Sequence, residues 1–394
     1  MPDASLTSLD IWVKAGSICE RSGEEGLAHF LEHMVFKGSK NLKEGEFDKK
    51  IEALGGSSNA ETGFDDVHYY VSVPSNVIEP ALELLLSLVI TPLINEDAFE
   101  TERQVVLEEI AQHDDQPDEQ IIQKLLETCW PNHAYGRPIL GCERSLKSIS
   151  PRQMKSFHKQ QYQGDNCTIA IAGNYPNNLE NILEGSLLAS LESDRNTNFS
   201  LKNNSTLCFQ AGRKEIYINR LETARVIMAW PIPPANEQLE IMGADIATSF
   251  LSEGRRSRLV KRLREELQIV ESIDMDITIL EKGGLIMLEA CCVEEQVDQV
   301  EKEINKVLIE SSLKVPSSNE INRAYQLVKN YLCFSLETSG QIASVSGAHI
   351  LWGREQELLE PIKHIDYWSK EKLQKEILQN LHPDKSCTLI ARPK

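Results

Sequence analysis

Residues His29-Phe30-Leu31-Glu32-His33 form the pattern H-x-x-E-H, the inverted form of a zinc-binding motif of peptidases. Two histidines four positions apart lie on the same face of a helix, about one turn from each other. Such a pair can bind one Zn²⁺ through two imidazole nitrogens, and Glu32 can then reach a water on the metal. The motif therefore predicts a zinc-dependent chain that hydrolyses peptide bonds.

The residues around the motif predict a buried helix, because they are apolar nearly all round: Leu27, Ala28, Phe30, Leu31, Met34, Val35 and Phe36. Buried histidine and glutamate side chains need polar partners, and a metal ion can provide one. The alternative is a surface helix with two solvated histidines, and the apolar neighbours argue against it.

A catalytic zinc site needs a third protein ligand, and the best candidate helix runs from about Glu96 to His113. Glu102 and Glu109 are seven positions apart and share one face, whereas Glu108 points roughly 100° away. One of the seven-spaced pair is predicted to bind metal and the other to orient a ligand. A solvated acidic face is the alternative, and His113, one turn beyond Glu109, is a competing ligand.

The chain resembles the pitrilysin-type zinc peptidases, specifically the branch of mitochondrial processing peptidase and its bacterial small-subunit relatives. The resemblance is clearest at positions 26–38, GLAHFLEHMVFKG, which are close to the core signature of the family. The family has a glutamate ligand 76 residues beyond the second histidine, and Glu109 stands there. Positions 59–62 (NAET) and 133–138 (HAYGRP) also resemble family segments, so the resemblance covers nearly the whole chain.

This resemblance implies a role for each site residue and a fold for the chain. His29, His33 and Glu109 would be the zinc ligands, Glu32 the general base, and Glu102 a support of the ligand shell. The implied fold class is α+β, with two homologous α/β-roll domains, each a mostly antiparallel sheet packed against helices.

Substrate binding departs from the family pattern. By resemblance, the backbone of Asn59 and Ala60 would bind an extended peptide by strand addition. The family also has an arginine and a tyrosine seven apart that bind substrate and stabilise the tetrahedral intermediate. Arg264 matches the first, but Glu271 replaces the tyrosine, and an ionised carboxylate cannot donate a hydrogen bond to an oxyanion.

This departure predicts the zinc-bearing subunit of a homo- or hetero-dimer whose partner supplies the arginine and tyrosine. The alternative is a non-catalytic assembly subunit of the same fold, as in the core proteins of respiratory complexes. The family also has a further strand before the one predicted at Ser8–Ala15, so a truncated N-terminus is expected, with an exposed sheet edge.

The length of 394 residues favours two domains over one core. Similar segments at Cys167 and Cys387 suggest a weak internal duplication, with chance similarity as the alternative. A polar run at 196–204 predicts domains at 1–196 and 213–394, joined by a linker at 197–212. In the second half, the pattern predicts a strand at Arg225–Trp230 ended by Pro231 and Pro233, and a helix at Arg255–Glu266.

Composition excludes several functional classes. The net charge of −19 argues against nucleic acid and anionic membrane surfaces as partners, and no apolar run approaches the roughly 18 residues of a membrane span. The nine cysteines are odd in number and irregularly spaced, which favours a reducing compartment over a disulfide framework. With no signal peptide visible, a cytoplasmic location is expected.

Overall fold

A computed structural model describes residues 1, 3–191, 206–354 and 357–394. Within them the strands are β1 (Leu6–Val13), β2 (Ser57–Thr62), β3 (Val67–Pro74), β4 (Cys167–Ala172), β5 (Gly212–Ile218), β6 (Ala224–Ile232), β7 (Ser272–Thr278), β8 (Gly284–Cys292) and β9 (Cys387–Pro393). The helices are α1 (Leu27–Val35), α2 (Glu46–Ala53), α3 (Ile78–Ile90), α4 (Glu96–Asp114), α5 (Pro117–Cys129), α6 (Glu143–Ser148), α7 (Pro151–Gln161), α8 (Leu179–Glu184), α9 (Gln238–Ser252), α10 (Val297–Leu313), α11 (Ser318–Phe334), α12 (Ser339–Leu351), α13 (Pro361–His364) and α14 (Lys370–Leu373). Two further segments, Val260–Glu266 and Gln374–Leu378, are π-helices.

The chain forms two compact units. The first contains the described residues of 1–112, 137–205 and 335–356, and the second those of 113–136, 206–334 and 357–394. Each has a mostly antiparallel sheet packed against helices, which confirms the predicted α+β class. Segments 113–136 and 335–356 each belong to the unit that is formed mainly by the other half of the sequence. The sequence did not predict this.

The sheet of the first unit has the order β2-β3-β1-β4, with antiparallel neighbours throughout. Strand β1 is buried on both faces, so all of its residues but the first are buried. Its odd-numbered apolar residues face the core that includes α1 and α3. Its other face lies under α12, where a Cβ on Gly347 would come within 2.3 Å of the Trp12 ring.

The sheet of the second unit has the order β5-β9-β6-β8-β7, and only the β5–β9 pair is parallel. Strand β6 continues through Pro231 to Ile232, so the prediction that Pro231 ends this strand is wrong. Strand β9 pairs with β6 only as far as Ala229. Pro231 therefore lies where one edge of β6 has no partner among the described residues, which is where a strand tolerates proline.

The predicted helix at Arg255–Glu266 is also corrected. Its first residues form a turn closed by the bond from the Ser257 N–H to the Gly254 carbonyl, 3.0 Å, and Gly254 has φ +73°. Helical residues begin only at Arg258, and Val260–Glu266 is a π-helix.

The two units repeat the same order of elements, which confirms the predicted duplication. The strand order β2-β3-β1-β4 corresponds to β7-β8-β6-β9. Helices α5 and α12 each have 13 residues and start at Pro117 and Ser339. Each half of the sequence thus donates one helix to the sheet formed by the other half, since α12 packs on β1 and β4 whereas α5 packs on β9.

The predicted linker at 197–212 lies mostly outside the described residues, so the predicted domain boundaries stay a prediction. The expected N-terminal truncation also stays a prediction. No helix of the described segments combines the length and the apolar character needed to cross a bilayer.

Candidate metal centre

Helix α1 holds the two motif histidines against the core of the first unit. The apolar side chains that anchor it are almost completely buried: Leu27, Ala28, Phe30, Leu31, Met34 and Val35. His29 is 8% exposed, and its ring centroid lies 4.7 Å from that of His33. The predicted buried helix is confirmed, and it leaves the histidines little freedom of position.

Helix α4 brings Glu109 to these histidines. His29 Nε2 lies 3.8 Å from Glu109 Oε1, and His33 Nε2 lies 3.3 Å from Glu109 Oε2. One ligand atom from each of the three residues lies within 4.8 Å of the other two. Zinc bonds of about 2.0–2.1 Å place tetrahedral ligand atoms about 3.3 Å apart. Small rotations of these side chains are therefore enough to place all three on one ion.

The protonation state of His29 suits a metal ligand. Burial and the nearby charge of His33 lower the pKa of His29 to about 4, although Glu109 opposes the shift. A neutral imidazole keeps the lone pair that a metal needs. Its Nδ1 is buried without a hydrogen-bond partner among the described residues, so the polar contacts of this ring depend on Nε2. The donor set therefore fits Zn²⁺, with two imidazoles and one carboxylate.

His33 is held from its other side by Glu102. Nδ1 of His33 lies 2.9 Å from Glu102 Oε1, and the Lys37 ammonium donates to Glu102 Oε2 at 2.6 Å. Burial opposes protonation of His33, but hydrogen bonds to Glu109 and Glu102 outweigh it and raise its pKa. A bond at Nδ1 fixes the ring and directs Nε2 toward a metal. Of the two glutamates predicted to share a face, Glu109 is one of the three clustered ligand residues, whereas Glu102 contacts Nδ1 on the other side of the His33 ring.

Glu32 lies beside the edge of the sheet. Its Oε2 accepts a short hydrogen bond from the hydroxyl of Thr62, the last residue of β2. Burial raises the pKa of Glu32, although the bond from Thr62 opposes the shift. Strand β2 also carries Asn59, which is exposed, and Ala60, which is half-buried. One edge of β2 pairs with β3, and the described residues provide no strand for the other edge, so a position for an added strand lies next to Glu32.

Other sequence candidates lie outside this group. His113 pairs with Glu119 at 3.3 Å and is not one of the three clustered residues. Glu108 is exposed, as its helical position predicts. Arg264 has an exposed side chain in the π-helix of the second unit, and Glu271 is exposed directly before β7. The substrate roles assigned to Arg264, Asn59 and Ala60 stay predictions.

Two residues of the site were not predicted, Lys37 and Thr62. Lys37 lies four positions after His33, so helical spacing alone would have placed it near the same face. Thr62 gave no comparable signal, because its contact with Glu32 joins a strand to a helix 30 residues earlier.

A third unpredicted residue, Glu20, positions the start of α1. Its buried carboxylate accepts a hydrogen bond from the Ala28 N–H at 2.8 Å and from the Gly26 N–H at 3.1 Å. Gly26 has φ +91°, and a Cβ there would lie 2.5 Å from the Leu140 carbonyl oxygen. Glu20 thus satisfies N–H groups at the beginning of the helix that carries the histidines.

Glu20 predicts a pH dependence of stability. Burial raises its pKa to about 8, against the opposing hydrogen bonds from Ala28 and Gly26. Between about pH 4.5 and 8 the folded chain keeps a proton that the unfolded chain has lost. This stabilisation is complete below about pH 4.5 and is lost as the pH rises through 8. The free energy of unfolding should therefore fall over this window, by several kcal/mol at most.

Glu20→Gln provides the comparison, because the amide keeps an acceptor oxygen and does not titrate. Urea unfolding at about pH 5, 6.5 and 8 should show the wild type losing stability relative to this variant as the pH rises. A stability difference that stays constant, or that grows in favour of the wild type at high pH, would contradict the assignment.

Comparisons with known proteins identify the family of this chain. The insulinase family (peptidase family M16) matches residues 2–143, and the peptidase M16 inactive domain matches residues 148–328. An uncharacterized zinc protease of Rickettsia felis is 26% identical over 369 residues, covering 93% of this chain and 88% of that protein. The uncharacterized zinc protease YmxG of Bacillus subtilis is 24% identical over 397 residues, covering 99% and 94%.

Solved structures show the same fold. A protease from Helicobacter pylori has a TM-score of 0.87 at 22% identity, covering 99% of this chain and 95% of that one. A putative M16-like peptidase from Alicyclobacillus acidocaldarius has a TM-score of 0.86 at 18% identity, covering 100% and 94%. This chain belongs to peptidase family M16. The narrower resemblance to the processing-peptidase branch stays a prediction.

Proposed function

We propose that this chain is the zinc-bearing subunit of a metalloendopeptidase that cleaves extended peptides. The observation that carries the proposal is the convergence of His29, His33 and Glu109, with ligand atoms within 4.8 Å of one another. Membership of family M16 and the zinc-protease names of the relatives support the same reaction class.

The site residues divide the chemistry among them. Zn²⁺ on the three ligands would polarise the scissile carbonyl and lower the pKa of a bound water to roughly 7. Glu32 takes one proton from the attacking water as the C–O bond forms, and it gives that proton to the leaving amine as the C–N bond breaks. Burial raises the pKa of Glu32, which suits a carboxylate that must hold a proton between the two steps. Glu102 and Lys37 keep the His33 ring oriented.

The open edge of β2 supports an extended substrate. A peptide added there would form main-chain hydrogen bonds with the strand that contains Asn59 and Ala60, and would run past Thr62 toward Glu32. Such binding depends on the backbone of the peptide more than on its side chains, so we propose that unfolded peptide segments are the substrates. We also propose a cytoplasmic location, which is supported by the nine cysteines, none of which forms a disulfide within the described residues.

The partner in this proposal is a different subunit that supplies an arginine and a tyrosine, because a second copy of this chain would again carry Glu271 in place of the tyrosine. Glu271 supports this part, because an exposed carboxylate stands where the family has its tyrosine. The same observation favours one other function, a non-catalytic assembly subunit. In that case the metal site would stabilise the fold without hydrolysing peptides.

A gain-of-function variant distinguishes the peptidase subunit from the non-catalytic assembly subunit. The zinc-loaded chain, alone and with Glu271→Tyr, is assayed on a quenched fluorescent peptide with and without a chelator such as o-phenanthroline. We expect weak chelator-sensitive hydrolysis by the native chain and about tenfold or more by the variant, in which the hydroxyl of tyrosine can stabilise the oxyanion. Glu266→Tyr, also at an exposed glutamate of the same unit, is the control and should not gain activity. Zinc binding without hydrolysis in the variant, and also after addition of an M16 subunit that carries the arginine and tyrosine, would favour the assembly role.

A further inference from the structure

Two cysteines of the second unit, Cys129 and Cys387, lie in contact with each other. Cys129 is the last residue of α5, and Cys387 is the first residue of β9. Both are completely buried, and the Cys129 thiol donates a hydrogen bond to the sulfur of Cys387. We refer to these two residues as the dithiol pair.

The backbone fixes the positions of both cysteines through one short segment of chain. The Gln210 N–H donates to the Cys129 carbonyl at 2.9 Å, and Gly212 is paired with Cys387 in the β5–β9 ladder. The Gly212 N–H donates to the Ser386 carbonyl, also at 2.9 Å. Two residues of chain span at most about 7 Å, so the end of α5 and the start of β9 are held close together. The contact between the thiols therefore does not depend on side-chain rotamers alone.

The two thiols differ in acidity, which gives each of them a separate chemical role. The hydrogen bond from Cys129 and, to a smaller extent, the charge of Lys214 lower the pKa of Cys387, although burial opposes the shift. The same bond, together with burial, raises the pKa of Cys129. A thiolate is the nucleophile in thiol oxidation, and a neighbouring thiol can then attack the oxidised sulfur. Cys387 is therefore suited to react first and Cys129 to react second.

Cys292 provides a contrast within the same unit. It is also buried, and its pKa is raised to about 11, mainly by that burial. Its neighbour Cys291 lies on the same strand, β8, where successive side chains point to opposite faces of the sheet. A buried thiol in this unit thus does not by itself bring a second thiol into contact, as α5 and β9 do.

We propose that the dithiol pair is a redox site, which a hydroperoxide converts into a disulfide between α5 and β9. With hydrogen peroxide, the Cys387 thiolate attacks one oxygen, the O–O bond breaks, and the hydroxide that leaves takes up a proton to form water. The Cys129 sulfur then attacks the sulfenic acid on Cys387, and the S–S bond forms. The second hydroxide leaves as water with the proton of Cys129. The two sulfurs lose two electrons in total, and these reduce one peroxide to two waters.

The segment before β5 offers a route for the peroxide. Residues 206–211 form neither helix nor strand, and most of them are exposed. Release of the bond between Gln210 and Cys129 would open this side of the dithiol pair. Local opening of such a segment costs less free energy than global unfolding, and hydrogen peroxide is small and uncharged.

The disulfide would bind two distant parts of the sequence covalently. Helix α5 comes from the first half of the sequence but belongs to the second unit, where it packs on β9 near the end of the chain. A bond between positions 129 and 387 closes a loop of about 260 residues, and long loops constrain the unfolded state most. Oxidation should therefore stabilise the second unit. The proposal is independent of the peptidase function.

Peptide mapping of the full zinc-loaded chain after peroxide treatment tests the proposal. The remaining thiols are alkylated in denaturant, and the digest is analysed by mass spectrometry without reductant. We expect a cross-linked peptide that joins Cys129 to Cys387, lighter by two hydrogens than its two parts, and dithiothreitol should remove it. Recovery of both cysteines as alkylated thiols would overturn the proposal, as would a disulfide from either of them to Cys208, or sulfinic acid in place of the disulfide.

Thermal unfolding provides a second measurement, with each variant compared with its own reduced form. Peroxide should raise the Tm of the wild type by about 5 °C or more, and Cys387→Ser should abolish this shift. Cys292→Ser is the matched control, because it makes the same change at another buried cysteine and keeps the dithiol pair. It should show the shift of the wild type. An equal shift in Cys387→Ser would assign the stabilisation to a different oxidation and refute the role of the pair.

Discussion

Glutamine in place of Glu32 should leave zinc bound and slow peptide hydrolysis about 10²–10⁴-fold. The side chain of Glu32 is not one of the three that converge as metal ligands, so the ion keeps its protein donors. An amide has nearly the shape of the carboxylate, and it can still accept the hydrogen bond from Thr62. It cannot take a proton from water, so only the proton-transfer role is lost. The measurements are zinc per chain by elemental mass spectrometry and kcat on a peptide substrate.

The matched control is Glu52→Gln, the same chemical change at an exposed position of α2 in the same unit. It should alter neither zinc content nor kcat. If Glu32→Gln kept full activity, the general base would have to be another group. If it lost zinc, Glu32 would have to belong to the ligand set, and either result would break the proposed division of roles.

The parts of this site that follow from the sequence are the local ones. The spacing of His29 and His33, and of Glu102 and Glu109, places each pair on one face of a helix because helical periodicity is a property of the nearby chain. The apolar residues around His29 likewise predict burial. Periodicity does not show that α1 and α4 pack together, and that expectation came from the resemblance to a family.

The parts that the sequence did not predict depend on packing between distant segments. Thr62 meets Glu32 only because β2 lies at the edge of the sheet beside α1. Nothing in the local sequence of α5 or α12 indicates which sheet each helix covers. Pro231 shows the same limit, since proline ends a strand or is tolerated in it according to how far the neighbouring strand extends.

Two charged residues, one buried and one half-buried, illustrate a further limit of local pattern. Lys37 and Glu20 look like ordinary charged residues near helix ends, yet Lys37 supports Glu102 and Glu20 caps α1. Both roles follow from a buried carboxylate, that of Glu20 itself and that of Glu102 beside Lys37, because a buried carboxylate must find donors. Burial of a charged residue is set by the tertiary fold, so a single sequence gives little sign of it.

Replacing Glu109 should affect the metal more than any other change on α4. Glu109→Gln removes the anionic ligand that lies 3.3 Å from His33 Nε2 and 3.8 Å from His29 Nε2. If each ligand contributes a similar share of a typical zinc binding energy, the affinity should fall about 10²-fold or more. Competition with a fluorescent chelator measures this directly, without reference to peptidase activity.

Glu108→Gln is the matched control, because it makes the same change one residue away on the same helix. Glu108 is exposed and is not part of the converging group, so zinc affinity should stay within about twofold of the wild type. Both variants lose one negative charge from nearly the same place, so a general electrostatic effect on zinc would weaken binding equally in both. A large loss in Glu109→Gln alone would therefore report ligation, whereas equal losses would mean that the carboxylate attracts the ion without binding it.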